Sequence, residues 1–142
     1  MALGEGSSAN LEHDDKRAEH NSLLQVDADT YALAYEGGSN ADGYITTFTI
    51  SADGSTTLAE VESIEHDNSN GEYNSLVQVD ADTYALAHSD DTGDDGFITT
   101  FTISADWDRT TITQFEQVKH DDAMTKYNSL LHVAGDTYAV SD

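Results

Sequence analysis

Three times along this chain a His-Asp pair stands seven residues ahead of an Asn-Ser-Leu triplet: His13-Asp14 before Asn21, His66-Asp67 before Asn74, and His120-Asp121 before Asn128. An imidazole, a carboxylate and an amide that recur together can hydrogen-bond sugar hydroxyls or hold a cation, so these nine residues are candidate binding groups. The same groups can instead satisfy backbone polar atoms buried where one repeat meets the next. Recurrence in every repeat favours that framework role, since a single active site has no need of copies. A second cluster, Asp90, Asp91, Asp94 and Asp95, offers hard oxygen ligands in a loop that contains Gly93, which suits Ca2+ as the one cofactor the sequence points to. The equivalent loop in the first repeat, residues 36–42, has fewer carboxylates, and the spacing is not that of an EF-hand. A solvated turn accounts for the aspartates more simply.

These clusters belong to a longer repeat. Asn21-Ser22-Leu23-Leu24-Gln25-Val26-Asp27-Ala28-Asp29-Thr30-Tyr31-Ala32-Leu33-Ala34 returns at 74–87 with one change, at Val77, and again more loosely at 128–139. The starts at 21, 74 and 128 are separated by 53 and 54 residues. A period of about 50 residues made of short strands is the mark of a β-propeller or a related array, in which each repeat buries its faces only against its neighbours. Blade units fall at about 21–73, 74–127 and a partial 128–142, with 1–10 read as a tag or the ragged edge of a longer gene.

Each repeat reads as four antiparallel strands. Ser75 to Val79 is strand A, Asp80-Ala81-Asp82 turns it into strand B at Thr83 to His88, and a Gly- and Asp-rich loop leads to strand C at Phe97 to Ile103. Ser104-Ala105-Asp106 then reads as the turn into strand D, about Thr110 to Lys119; in the first repeat C is Gly43 to Ile50 and D is Thr56 to Glu65. Ser8 to Asp14 reads as the end of a preceding D strand, so each His-Asp pair is expected in the connection from D to the next A, opening on the same face as the B to C loop. On strand B, Tyr84, Leu86 and His88 alternate with Thr83, Ala85 and Ala87, which gives the sheet one bulky and one thin face. Stacked sheets would set the bulk of one into the space left by the next.

The run of strand, Asp turn, Tyr-Ala-Leu-Ala strand, Asp-Gly loop and Ile-Thr-Thr-Phe-Thr-Ile-Ser-Ala-Asp resembles the blades of YVTN-type and lactonase-type β-propellers over nearly all of residues 20–142. The expected fold class is therefore all-β, a propeller of four-stranded antiparallel blades, with two full blades and part of a third in this chain. Propellers close with about four to eight blades, so the expected partner is a second copy, in a homodimer that forms a six-bladed ring. The resemblance also implies a metal-assisted lactonase-like hydrolase as the alternative function, with a cation in the central channel polarising an ester. The residues themselves favour a non-catalytic binding or scaffold module, with glycan as the expected class of ligand. No Ser, His and acid set, phosphate-cradling Gly loop or HExxH stands apart from the repeat, so no catalytic residue is assigned.

Composition narrows the partners. Asp and Glu number 28 against 5 Lys and Arg, a formal charge of −23, which repels nucleic acid and anionic lipid and attracts cations or basic surfaces. The charges sit in turns between β-branched and aromatic runs, a pattern of an ordered protein with a solvated acidic surface suited to salty or extracellular settings. The chain has no cysteine, which removes disulfides and thiolate metal sites.

Overall fold

The computed structural model describes residues 11–51, 59–90, 95–106, 109–122 and 125–141. Two four-stranded antiparallel sheets of the same order follow one another along the chain. The first is β1 (Ala18–Gln25), β2 (Thr30–Gly37), β3 (Asp42–Thr49) and β4 (Ala59–Asp67); the second is β5 (Glu72–Gln78), β6 (Thr83–Ser89), β7 (Gly96–Asp106) and β8 (Arg109–Asp121). A hairpin of β9 (Ser129–Ala134) and β10 (Thr137–Ser141) follows. The protein is all-β over the described residues, and no helix among them is long and apolar enough to cross a membrane.

Local chemistry sets the turns. The Asp27 carboxylate accepts hydrogen bonds from the amides of Asp29 (3.1 Å) and Thr30 (2.9 Å), and the Asp80 carboxylate from that of Ala81 (2.7 Å), so the aspartates fold their own backbone between β1 and β2 and between β5 and β6. The carbonyls of Asp29 and Asp82 then accept from the amides of Ile50 and Ile103 at 2.8 and 3.0 Å, tying each turn to the third strand of its sheet. Two expectations need correction. Ser104-Ala105-Asp106 does not turn: pairing continues to Asp106 opposite Arg109, because Ser104 and Ala105 find partners in Thr111 and Thr110. Leu11 to Asp14 is not a strand, because the Asp14 carboxylate draws the next residues into a turn by accepting from the amides of Lys16 (2.7 Å) and Arg17 (2.8 Å). Ser8 to Asn10 lie outside the described residues, as do residues 52–58, which include the start of the strand D expected in the first repeat.

The sheets stack, with β1 on β5, β4 on β8 and β5 on β9. The main core joins Leu24, Val26, Ala32, Ala34, Ile45 and Ile64 of the first sheet to Leu76, Tyr84, Leu86, Phe101, Ile103 and Ile112 of the second. The Ala-rich face of one sheet thus receives the aromatic and Leu side chains of the next, as the alternation on strand B predicts. The other face of the second sheet repeats the arrangement: Val77, Ala85, Ala87 and Ile98 pack against Leu130, Tyr138 and Val140. Each interface also carries the same hydrogen bond. The Leu76 amide donates to Ser22 Oγ and the Leu130 amide to Ser75 Oγ, both at 3.0 Å. Ser75→Ala is expected to cost about 1 kcal/mol in a denaturant melt, since it strands the Leu130 amide between sheets.

Candidate functional site at the sheet junctions

Two of the three His-Asp pairs end strands instead of lying in the connections between them. His66-Asp67 closes β4 and His120-Asp121 closes β8, with Asp67 opposite Gly43 and Asp121 opposite Gly96. Strand D runs on because a glycine faces it there and leaves space for the imidazole. A Cβ at Gly43 would lie 2.4 Å from His66 Cε1, and one at Gly96 would lie 2.5 Å from His120 Cε1. From that niche the His66 ring leans on the following sheet, 4.8 Å from His88 and 6.3 Å from Phe101 between ring centroids. His13 makes the matching contacts with Tyr35 (4.8 Å) and Phe48 (6.3 Å) of the first sheet. His66 is only 5% exposed, and neither of its ring nitrogens has a hydrogen-bond partner among the described residues. Burial, and then the neighbouring His88, push its pKa well below the usual histidine value.

The aspartates and asparagines meet backbone groups. Besides its turn contacts, Asp14 accepts from the Gly38 amide at 2.8 Å, reaching into the loop between β2 and β3. Burial alone would raise its pKa; the amides of Arg17, Lys16 and Gly38 outweigh that and hold the carboxyl below its ordinary value. Asp67 accepts from the Ser69 amide at 2.9 Å, but its burial, with the carboxylates of Asp90 and Asp42 nearby, leaves its pKa raised. Asn21 donates to the Ala18 carbonyl (3.2 Å) and Asn74 to the Gly71 carbonyl (2.7 Å), each three residues back. Asn74 and Asn128 are buried, whereas Asn21 is exposed.

Asn21 and Asn74 brace a feature that strand alternation alone does not predict. Pairing of β1 with β2 slips between Glu19 and Ser22, and of β5 with β6 between Glu72 and Ser75, and the residue before each asparagine has positive φ: His20 at 53°, Tyr73 at 51° and Tyr127 at 60°. A β-bulge with an aromatic or imidazole residue in the left-handed region is sterically costly and persists only where its surroundings hold it. Here the rings form a column across the three units, His20 to Tyr73 at 4.3 Å and Tyr73 to Tyr127 at 5.0 Å. The signal was available in sequence, as a ring directly before each Asn-Ser-Leu.

Two further polar groups surround this framework. His88 is fully buried, with Nε2 3.1 Å from Thr99 Oγ1 and Nδ1 3.7 Å from Asp67 Oδ2. Burial lowers its pKa to about 4, with Asp90 opposing and His120 reinforcing the shift. In the first unit the buried Glu36 carboxylate pairs with Arg17 Nη2 at 3.0 Å and lies 3.4 Å from His20 Nε2, while Arg17 also reaches Glu19 at 3.1 Å. Ligand atoms of Glu19, His20 and Glu36 lie within 4.8 Å of one another, a composition that fits a divalent cation, yet the guanidinium already supplies positive charge there. The second unit has Asn70, Tyr73 and Ser89 in the places of Arg17, His20 and Glu36.

Of the aspartates read as Ca2+ ligands, Asp91 and Asp94 lie outside the described residues. Asp90 bonds through its amide to the Asp95 carbonyl at 3.1 Å, and the Asp95 carboxylate pairs with Lys119 Nζ at 2.7 Å. No protein-family model, no curated protein and no solved structure matches the chain.

Lys16, Arg17 and Lys119 each pair with carboxylates at 2.7 to 3.1 Å, and the −23 is what remains after every Lys and Arg has been counted. The thermal midpoint is therefore expected to rise with added NaCl and level off by about 1 M, where the Debye length is about 3 Å. A flat or falling midpoint would show that charge repulsion is a minor term.

Proposed function

We propose that the chain is a run of β-propeller blades that serves as a non-catalytic binding or scaffold module. The observation that carries this reading is the burial of His66 against the next sheet, with Asp14 and Asn74 spent on backbone groups. Side chains used in this way hold sheets together, and they recur because every junction needs them. The groups left to solvent recur as well: Asp29, Asp82 and Asp136, one repeat position, are exposed at the hairpin tips. Regularly spaced carboxylates suit a multivalent ligand such as a glycan, each weak contact gaining from its neighbours. Two such chains, each with two full blades and part of a third, would close a six-bladed ring about a two-fold axis.

A glycan array probed with the intact chain tests this reading, followed by Asp29→Asn with Asp82→Asn. Retention of a glycan that weakens at least tenfold in the double variant is the expected result. Absence of glycan retention together with cation-dependent hydrolysis of a simple lactone would replace this reading with a lactonase-like one.

A further inference from the structure

Among the described residues the stack leaves two unlike faces open, and the chain shows twice what fits between such faces. Leu76 and Leu130 stand at one repeat position and are 8% and 7% exposed, because each is covered by the Ala-rich face of the preceding sheet. Leu23 stands at that position in the first sheet and is 59% exposed. At the other end, Leu131 occupies the place of Leu24, which packs into the main core, yet Leu131 is 65% exposed and Val133 beside it is 58% exposed. Other partial series end at the same two surfaces. The aromatic column stops at Tyr127, 79% exposed, and the Ser22 to Leu76 and Ser75 to Leu130 hydrogen bonds leave Ser129 and Leu23 as the halves of a third.

We propose that these faces bind each other head to tail: the β9 and β10 face of one chain covers the β1 and β2 face of a second copy. Leu131 and Val133 then pack where Leu24 and Val26 do in the first interface, Ser129 Oγ accepts from the Leu23 amide of the second copy, and Tyr127 meets its His20. The contact is heterologous, so its two sides differ and each chain carries one of each. It rests on the propeller reading only for closure; the face-to-face packing is that already present between the two complete sheets. At −23 per chain, association is opposed at low ionic strength and favoured when salt shortens the range of repulsion.

Light scattering on the full chain at about 0.1 M and 1 M NaCl, with Leu23→Asp and Leu131→Asp, tests the proposal. Both side chains are exposed, so far-UV circular dichroism is expected to be unchanged in either variant. The wild-type mass at high salt is expected to be at least two chains, and each variant alone is expected to be one. An equimolar mixture of the two variants should return to two chains and go no further, because the intact face of each meets the intact face of the other. A wild type that stays monomeric at both salts, variants that keep the wild-type mass, or a mixture that stays monomeric would overturn the proposal. Wild-type growth beyond two chains, lost in both variants, would keep the interface and overturn the six-bladed ring.

Discussion

Gly43→Ala is expected to destabilise the protein by about 3 kcal/mol, the upper part of the range for forcing atoms into a packed interior. The new Cβ would lie 2.4 Å from His66 Cε1, 2.7 Å from Nε2 and 3.0 Å from the Gly71 Cα. Surface side chains relieve such clashes by rotating. His66 has no such freedom, since its ring is held from the other side by His88 and Phe101. A denaturant melt should show a lower midpoint at unchanged slope. The mechanism is separable from a generic glycine effect by a double-mutant cycle: His66→Ala empties the niche, so the two changes together should cost less than their sum by on the order of 1 kcal/mol. Additive costs would mean that the imidazole is not what fills the space over Gly43.

Acid should unfold the protein earlier than carboxylate protonation alone would. His66 and His88 are kept neutral by burial, with pKa values well below 6.5 and about 4 respectively. In the unfolded chain each takes up a proton as pH falls through about 6.5, so protons favour unfolding from that point down. The stability that rests on the neutral rings is complete above about pH 6.5 and is lost as pH falls toward the folded values. For His88 alone the loss by pH 4 is roughly 3 kcal/mol. Asp67 works the other way, since its raised pKa favours the protonated folded form, and its relief comes at the acidic end of the window. Unfolding free energies measured between about pH 7.5 and pH 4 should decline through this interval, and His88→Phe should flatten the decline. A constant free energy down to pH 5 would contradict the assignment of these rings as buried and neutral.

Much of this architecture was legible because the repeat states it several times. The Asp80-Ala81-Asp82 turn, the four-strand unit and the bulky and thin faces of β6 follow from residue types at short range, where strand alternation and turn chemistry leave few choices. What was not legible depends on partners distant in sequence. That β7 runs to Asp106 depends on what stands opposite Ser104 and Ala105 in β8. That His66 ends a strand depends on Gly43 across the sheet. Asp95 reads as a cation ligand until Lys119 appears beside it. The left-handed conformation of Tyr73 has no signature in its residue type, which ordinarily resists it, and is held in place by neighbouring units.

Successive sheets stack face to face in one register, and the absence of cysteine makes that stacking directly measurable. Ser22 Oγ lies 3.0 Å from the Leu76 amide, so the two residues face each other directly across the junction and are the pair to test for a disulfide. Ser22→Cys with Leu76→Cys, exposed to a mild oxidant while folded, is predicted to lose both free thiols and gain an intramolecular crosslink. The control pair, Ser22→Cys with Leu130→Cys, lies one sheet too far apart and should keep its thiols. A folded Ser22 and Leu76 pair that stays reduced, or a control that crosslinks as readily within one chain, would contradict the stacking.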